Sequence, residues 1–341
     1  MDSALTDRQK TSLLKGIAIL AVLVNHYVNA HLTTMYAGYA NGVIALFFVL
    51  SGYGLSFSLA GLGELNSHAV TAFYRKRLLR IYPLYWLALL CAALFWQKTY
   101  SLATITAFPL HQASGIYWFI SSLLQCYLIA PFLYKLLRAK GLRGYLGHVL
   151  GTAALLQGLY FSLGLPFASD YFVYRDFFLG HLLLFALGLG LAGFRQDHAG
   201  RSDLDYPLLL GACLFFSGGV WATRPQDTIA IQDALLIAPF FVSATVLLVY
   251  SSLRARFSIP ANRFRGLILI GEYSYSLYLF HLLYYSLLEK MGLIVHGSVI
   301  SALLTIALSP LFILFCRLLE ERLKRLVNHL QQKWRTGEAR P

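Results

Sequence analysis

Ser12-Leu13-Leu14-Lys15-Gly16-Ile17-Ala18-Ile19-Leu20-Ala21-Val22-Leu23-Val24-Asn25-His26 opens an apolar run that continues to Thr33. A helix rises about 1.5 Å per residue, so about 20 mostly apolar residues cross a hydrocarbon core about 30 Å thick. Backbone amides in lipid must pair within their own segment or in a closed barrel. The run has the length of a span and no two-residue alternation, so it reads as a spanning helix. A cleavable signal peptide fits less well, because the run is too long, contains a histidine and precedes no small-residue cleavage site.

Outward from this run, nine further segments have the same character: 39–60, 79–97, 115–135, 146–165, 174–194, 206–223, 229–252, 266–288 and 297–318. The weakest is 174–194, which begins at Arg175 and Asp176 and contains His181. Composition agrees, since 58% of the 341 residues are hydrophobic and only 13% are charged, against about 25% charged in soluble domains. The expected fold is all-α, a single polytopic membrane domain of about ten spans. No internal repeat or linker divides it.

Cytoplasmic loops collect lysine and arginine. With the N-terminus inside, 24 of the 28 basic residues fall on the cytoplasmic side, and only Lys98, Arg175, Arg224 and Lys290 fall outside. Both termini are therefore expected in the cytoplasm, in a multi-pass protein of a bacterial-type inner membrane. A basic inner face against anionic lipid accounts for the net charge of +13 without a nucleic-acid partner. A reporter fused after Arg335 should read cytoplasmic, and one inserted near Ala113 should read from the opposite side. Equal readings from the two would overturn the ten-span arrangement.

Cys91, Cys126, Cys213 and Cys316 all lie within spans at no paired spacing, so neither a disulfide frame nor a bound metal is expected. The tail from Arg317 to about Arg335 reads as an amphipathic helix along the membrane surface, with Leu318, Leu319, Leu323, Leu326 and Leu330 among charges.

Ionisable groups inside a span are costly and are functional candidates by default. His26 lies eleven residues after Lys15, about 16 Å deeper along a helix. Imidazole, with an ordinary pKa near 6.5, suits a general base for a hydroxyl nucleophile. The alternative is a hydrogen bond between helices. A second feature is Phe73-Tyr74-Arg75-Lys76-Arg77-Leu78-Leu79-Arg80-Ile81-Tyr82-Pro83. Arg77 and Arg80 share a helix face, and two guanidinium forks there suit a phosphate-bearing ligand. The alternative is an anchor on lipid phosphate. A third is Gly271-Glu272-Tyr273-Ser274-Tyr275-Ser276-Leu277-Tyr278-Leu279-Phe280-His281, where Ser274, Tyr278 and His281 form one stripe. His281 lies too deep for an interfacial role, whereas Tyr284 and Tyr285 fit a belt of interfacial anchors. His31, His68, His111, His148, His198, His296 and His329 fall in loops or at rims and receive no role, and His181 is left open.

In this order the pieces resemble the acyltransferase family 3 membrane proteins, which acylate cell-surface glycans and similar acceptors. The resemblance runs from Lys15 to His281. It rests on Lys15-x10-His26, on Phe47-Phe48-Val49-Leu50-Ser51-Gly52-Tyr53 and on Phe73-x-x-Lys76-Arg77-x-x-Arg80-Ile81-Tyr82-Pro83. To these are added Trp118-Phe119-Ile120-Ser121 with Tyr127 and Pro131, and Ser274-Tyr275-x-x-Tyr278-Leu279-x-His281. The chain departs from many members in carrying Leu123 and Leu124, where they have paired glutamates, so no carboxylate role carries over there. Lys15 replaces a frequent arginine, keeping the charge without the fork. With about twenty residues after its last span, the chain looks like the standalone type without an extracytoplasmic domain.

The resemblance implies that a cytoplasmic acyl-CoA, most often acetyl-CoA, donates its acyl group to a hydroxyl of a surface or lipid-linked glycan. Lys15, Arg77 and Arg80 would hold the CoA phosphates. His26 and His281 would be catalytic, with His26 as base or transient acyl carrier, and Ser51, Trp118, Tyr127 and Tyr278 would contact substrate. The rival from another class is a proton-coupled transporter using His26 and His281 as a relay, although the chain lacks the two similar halves common in such proteins. Acceptor choice would lie in the outward loops Gln97–Gly115 and Pro166–Asp176, which carry no readable sugar signature.

Overall fold

A computed structural model describes residues 5–32, 39–107, 117–162, 179–197, 245–254 and 261–336. Thr6 starts the first helix with a reciprocal cap. Its hydroxyl accepts from the Gln9 amide at 3.3 Å, while its own amide donates to Gln9 Oε1 at 2.8 Å. Helix α1 then runs unbroken over Asp7–His31. Next are α2 (Tyr39–Ala60), α3 (Ser67–Trp96), a short α4 (Leu102–Thr106), α5 (Trp118–Ser162) and α6 (Leu179–Asp197). A helical stretch α7 covers residues 245–254. A 3-10 turn at Ala261–Phe264 leads into α8 (Arg265–Glu272), α9 (Ser274–Lys290) and α10 (Val299–Thr336). Every regular element among the described residues is helical, as expected.

Five helices are long and apolar enough to cross a membrane: Asp7–His31, Val43–Ala60, Ser67–Trp96, Trp118–Thr152 and Val299–Gln332. Asn262–Glu272 and Ser274–Lys290 make a sixth candidate if taken together, bent by 70° at Tyr273. Exposed Ile17, Val24, Leu90, Leu94, Phe132, Ile306 and Leu311 give these helices the lipid-facing apolar surface a bundle needs. Of the ten sequence segments, 206–223 lies outside the described residues, and 229–252 is described only from residue 245. Residues 118–135 and 146–162 of segments 115–135 and 146–165 fall in α5, which is two helical stretches meeting at a kink at Gly141, where φ is 64°. A residue without Cβ takes that left-handed conformation readily. The expected surface tail is also not a separate element. It continues the last apolar helix as α10, which carries Glu320 and Lys324 onward in helical register.

Close helix crossings are made by glycine, as expected where lipid offers no hydrophobic drive for association. A Cβ on Gly271 would overlap the Ser12 carbonyl, and one on Gly16 would overlap the Leu267 carbonyl, so α8 lies against α1. Gly52 and Gly188 make the same kind of contact between α2 and α6. Gly271→Ala should therefore force α1 and α8 apart, at the ~1–3 kcal/mol typical of overpacking, and lower the thermal midpoint of the purified protein. Gly266→Ala, which meets open space, is the matched control. Equal midpoints would show that the crossing is looser than described. Tyr284 and Tyr285 do not act as the expected interfacial anchors. Tyr285 is buried and donates to the Leu23 carbonyl at 2.9 Å. Tyr284 donates to Thr305 and stacks on Phe312. Both hydroxyls find backbone acceptors between helices, which removes their need for water.

Candidate active site

The crossing of α1 and α8 and the 70° break before α9 leave a cavity of about 470 Å³, walled by α1, α2, α3, α5, the break and α10. Lys15 enters it from α1, and Arg77 and Arg80 enter from the first half of α3. Arg77 is buried, its Nη2 donates to Ser58 Oγ at 2.5 Å, and its guanidinium lies 5.4 Å from the centre of the Phe73 ring. Its Nε has no hydrogen-bond partner. Among the described residues no carboxylate pairs with Lys15, Arg77 or Arg80. Glu320, also on the wall, is taken by Lys324 at 2.7 Å and by the Ser276 hydroxyl at 2.8 Å. Arg8 and Lys324 also line this cavity, as does Glu272, so five basic groups face two carboxylates, and an anion there would relieve the repulsion among the cations. A second cavity of about 530 Å³ adjoins this end, sharing Ser58, Arg77, Arg80, Glu320 and Lys324.

The inner end is apolar and aromatic, formed by Val22, Ile44, Phe47, Phe119 and Tyr278. Val22 precedes His26 by four residues, so His26 sits one turn further along the same face of α1. His26 and His281 meet across the α1–α9 contact with ring centroids 4.9 Å apart. The Tyr278 ring lies 5.8 Å from His281 and 5.2 Å from Phe119, which links the wall of the cavity to the pair. His281 is buried, and its Nδ1 lies 2.6 Å from the Tyr278 carbonyl. A carbonyl can only accept, so that contact assigns the ring hydrogen to Nδ1 and leaves a lone pair on Nε2. Nε2 has no partner. The continuity of α1 makes the helical rise of about 16 Å from Lys15 to His26 a real separation.

Six of the nine residues singled out from the sequence line this cavity: Lys15, Ser51, Arg77, Arg80, Tyr127 and Tyr278. His26 and His281 lie just behind its inner wall, against each other. Trp118 is placed elsewhere. It stacks on His181 at 5.7 Å, and His181 stacks on Phe48 at 4.2 Å. This aromatic stack joins α2, α5 and α6, and Phe119 rather than Trp118 reaches the cavity. Sequence reasoning missed Ser58, although it lies seven residues after Ser51 and hence on the same face of α2. It also missed Glu320 and Lys324, because the tail was read as an amphipathic helix along the membrane surface. Tyr275 was a further omission. Its hydroxyl donates to the Ile81 carbonyl at 2.9 Å, tying α9 to α3 two residues before Pro83.

A family model described as an acyltransferase domain matches residues 11–321, most of the chain. The chain belongs to this acyltransferase family. All nine residues singled out above lie inside the matched region, and with the long apolar helices the match makes the protein a membrane acyltransferase. No curated protein and no solved structure matches it. In this acyltransferase the cation-rich cavity and the paired imidazoles therefore lie at different depths along α1, with Tyr278 between the cavity wall and the pair.

Proposed function

We propose that this acyltransferase takes an acyl group, acetyl first among candidates, from cytoplasmic acyl-CoA. The acceptor is a hydroxyl of a surface or lipid-linked glycan, and the enzyme works in a bacterial inner membrane. The observation that carries this reading is the convergence of Lys15, Arg77 and Arg80 on a cavity whose inner wall abuts the His26–His281 pair. CoA combines phosphate groups with a long thin arm ending in a thioester. Arginine forks suit the phosphates. The distance of about 16 Å along α1 suits the arm.

In the step proposed, His26 removes the proton from the acceptor hydroxyl as its oxygen attacks the thioester carbonyl. The carbon–sulfur bond then breaks, and the departing thiolate recovers the proton from His26. Nε2 of His281, with its lone pair free, is suited to accept a hydrogen bond from the imidazolium that His26 becomes. The apolar wall of Val22, Phe47 and Phe119 limits water, which would otherwise hydrolyse the donor.

Purified protein in lipid vesicles, supplied with acetyl-CoA labelled in the acyl carbon, should release free CoA and pass label to a glycan acceptor. Absence of both CoA release and CoA binding would overturn the donor assignment. Mass analysis of surface glycans from cells with and without the protein should show O-acyl groups only in the former, and would name the acceptor.

A further inference from the structure

At the end of α1 opposite the basic cavity, three side chains that the acyl-transfer reading leaves unused come together. His31 ends α1, Glu289 lies in the last turn of α9, and His296 lies in the turn between α9 and α10. Each offers one ligand atom, and the three atoms lie within 4.8 Å of one another. The His31 ring is buried and its Nδ1 has no hydrogen-bond partner. An imidazole in that position lacks the contact that buried polar groups normally make. His296 Nε2 and Glu289 Oε1 are 3.3 Å apart. Two ligands about 2.1 Å from a tetrahedral ion are themselves about 3.4 Å apart, so this pair already has ligand spacing. The backbone holds the third group close, since the Gly297 amide donates to the His31 carbonyl at 2.7 Å. Gly297 has φ 75°, which turns the chain directly after His296.

We propose that His31, Glu289 and His296 form a site for a divalent transition-metal ion of the zinc class. Two imidazoles and one carboxylate are a nitrogen-and-oxygen set that such ions favour over calcium or magnesium, which prefer all-oxygen shells. Three protein ligands leave a fourth position open. The ion would clamp the end of α1 to the α9–α10 turn. Tyr27 and Tyr285 lie between this clamp and the histidine pair. Tyr27 is 5.0 Å from His31, and Tyr285 is 6.0 Å from His281. The clamp therefore sits where it holds α1 against α9 near the reacting groups, yet it is independent of whether the chain transfers acyl groups.

The test uses the full chain in detergent, stripped with a chelator and then titrated with zinc at fixed free concentration. Bound zinc is counted by mass spectrometry after gel filtration. About one zinc per chain is expected, together with a thermal midpoint that rises with zinc, because an ion that binds only the folded state stabilises it. His296→Ala and Glu289→Gln, both at exposed positions, should fold normally. Each should weaken zinc binding by at least about tenfold, the lower end of what even outer-shell partners contribute, and should abolish the zinc-dependent rise. His68→Ala, remote on α3, should change neither. No retained zinc in the unaltered chain would overturn the site. Equal binding by both variants would overturn it as an adventitious ion held elsewhere, and so would a preference for calcium.

Discussion

His26→Ala is expected to lose about 10²–10⁴-fold in turnover, the range general-base catalysis typically supplies, while still folding and still binding acyl-CoA. His26 lies beyond the cavity's inner wall rather than among the cations, so its removal leaves the donor contacts intact. The informative variant is His26→Gln, which keeps a hydrogen-bonding side chain of similar size but accepts no proton. If His26 only joined α1 to α9, glutamine would preserve most of the activity. Its partner across that contact argues otherwise. His281 already spends Nδ1 on the Tyr278 carbonyl and presents Nε2 without a partner, so the two rings are not a closed structural hydrogen bond. Near-wild-type transfer by well-expressed His26→Gln would remove His26 as the base and make His281 the next group to test. The measurement is single-turnover acyl transfer at saturating donor, which separates chemistry from binding.

The helical class was legible because it rests on composition and run length, and both follow directly from the thickness of a bilayer. His26 and His281 were legible for the same reason, since an ionisable group deep in an apolar run is conspicuous. Their contact was not legible. It depends on Gly16 and Gly271 letting two backbones approach, and a small residue in an apolar run has many other uses. Lys15, Arg77 and Arg80 were readable as cations, yet only the structure shows them sharing one cavity in which basic groups outnumber the carboxylates Glu272 and Glu320. Trp118 and Phe119 are adjacent in the chain yet placed differently. Side chains next to each other on a helix point about 100° apart, so one position decides that Phe119 reaches the cavity while Trp118 packs with His181. His31 and His296 received no role because they lie 265 positions apart in the chain, and nothing local in the sequence joins the end of α1 to the turn before α10.

Arg77→Ala should raise the KM for acyl-CoA roughly ten- to a hundredfold with little change in kcat. Hydrogen bonds to charged groups contribute about 1.5–3 kcal/mol, each ~1.4 kcal/mol is a factor of ten, and uniform binding interactions act on KM alone. Arg77 should matter more than Arg80. Arg77 is buried, and Ser58 and the Phe73 ring hold its fork in place, so little side-chain freedom remains to be lost on binding. Arg80 is exposed, where solvent screening weakens ionic contacts, and its replacement should cost tenfold or less. Arg77→Lys separates charge from geometry. Lysine keeps the positive charge but cannot donate two parallel hydrogen bonds, so it should recover only part of the affinity. Direct titration of CoA onto each purified variant checks the order alanine, then lysine, then native, from weakest to tightest. If lysine binds as tightly as arginine, the cavity reads charge alone. If all three bind equally, Arg77 serves packing between α2 and α3 and the donor phosphates sit elsewhere.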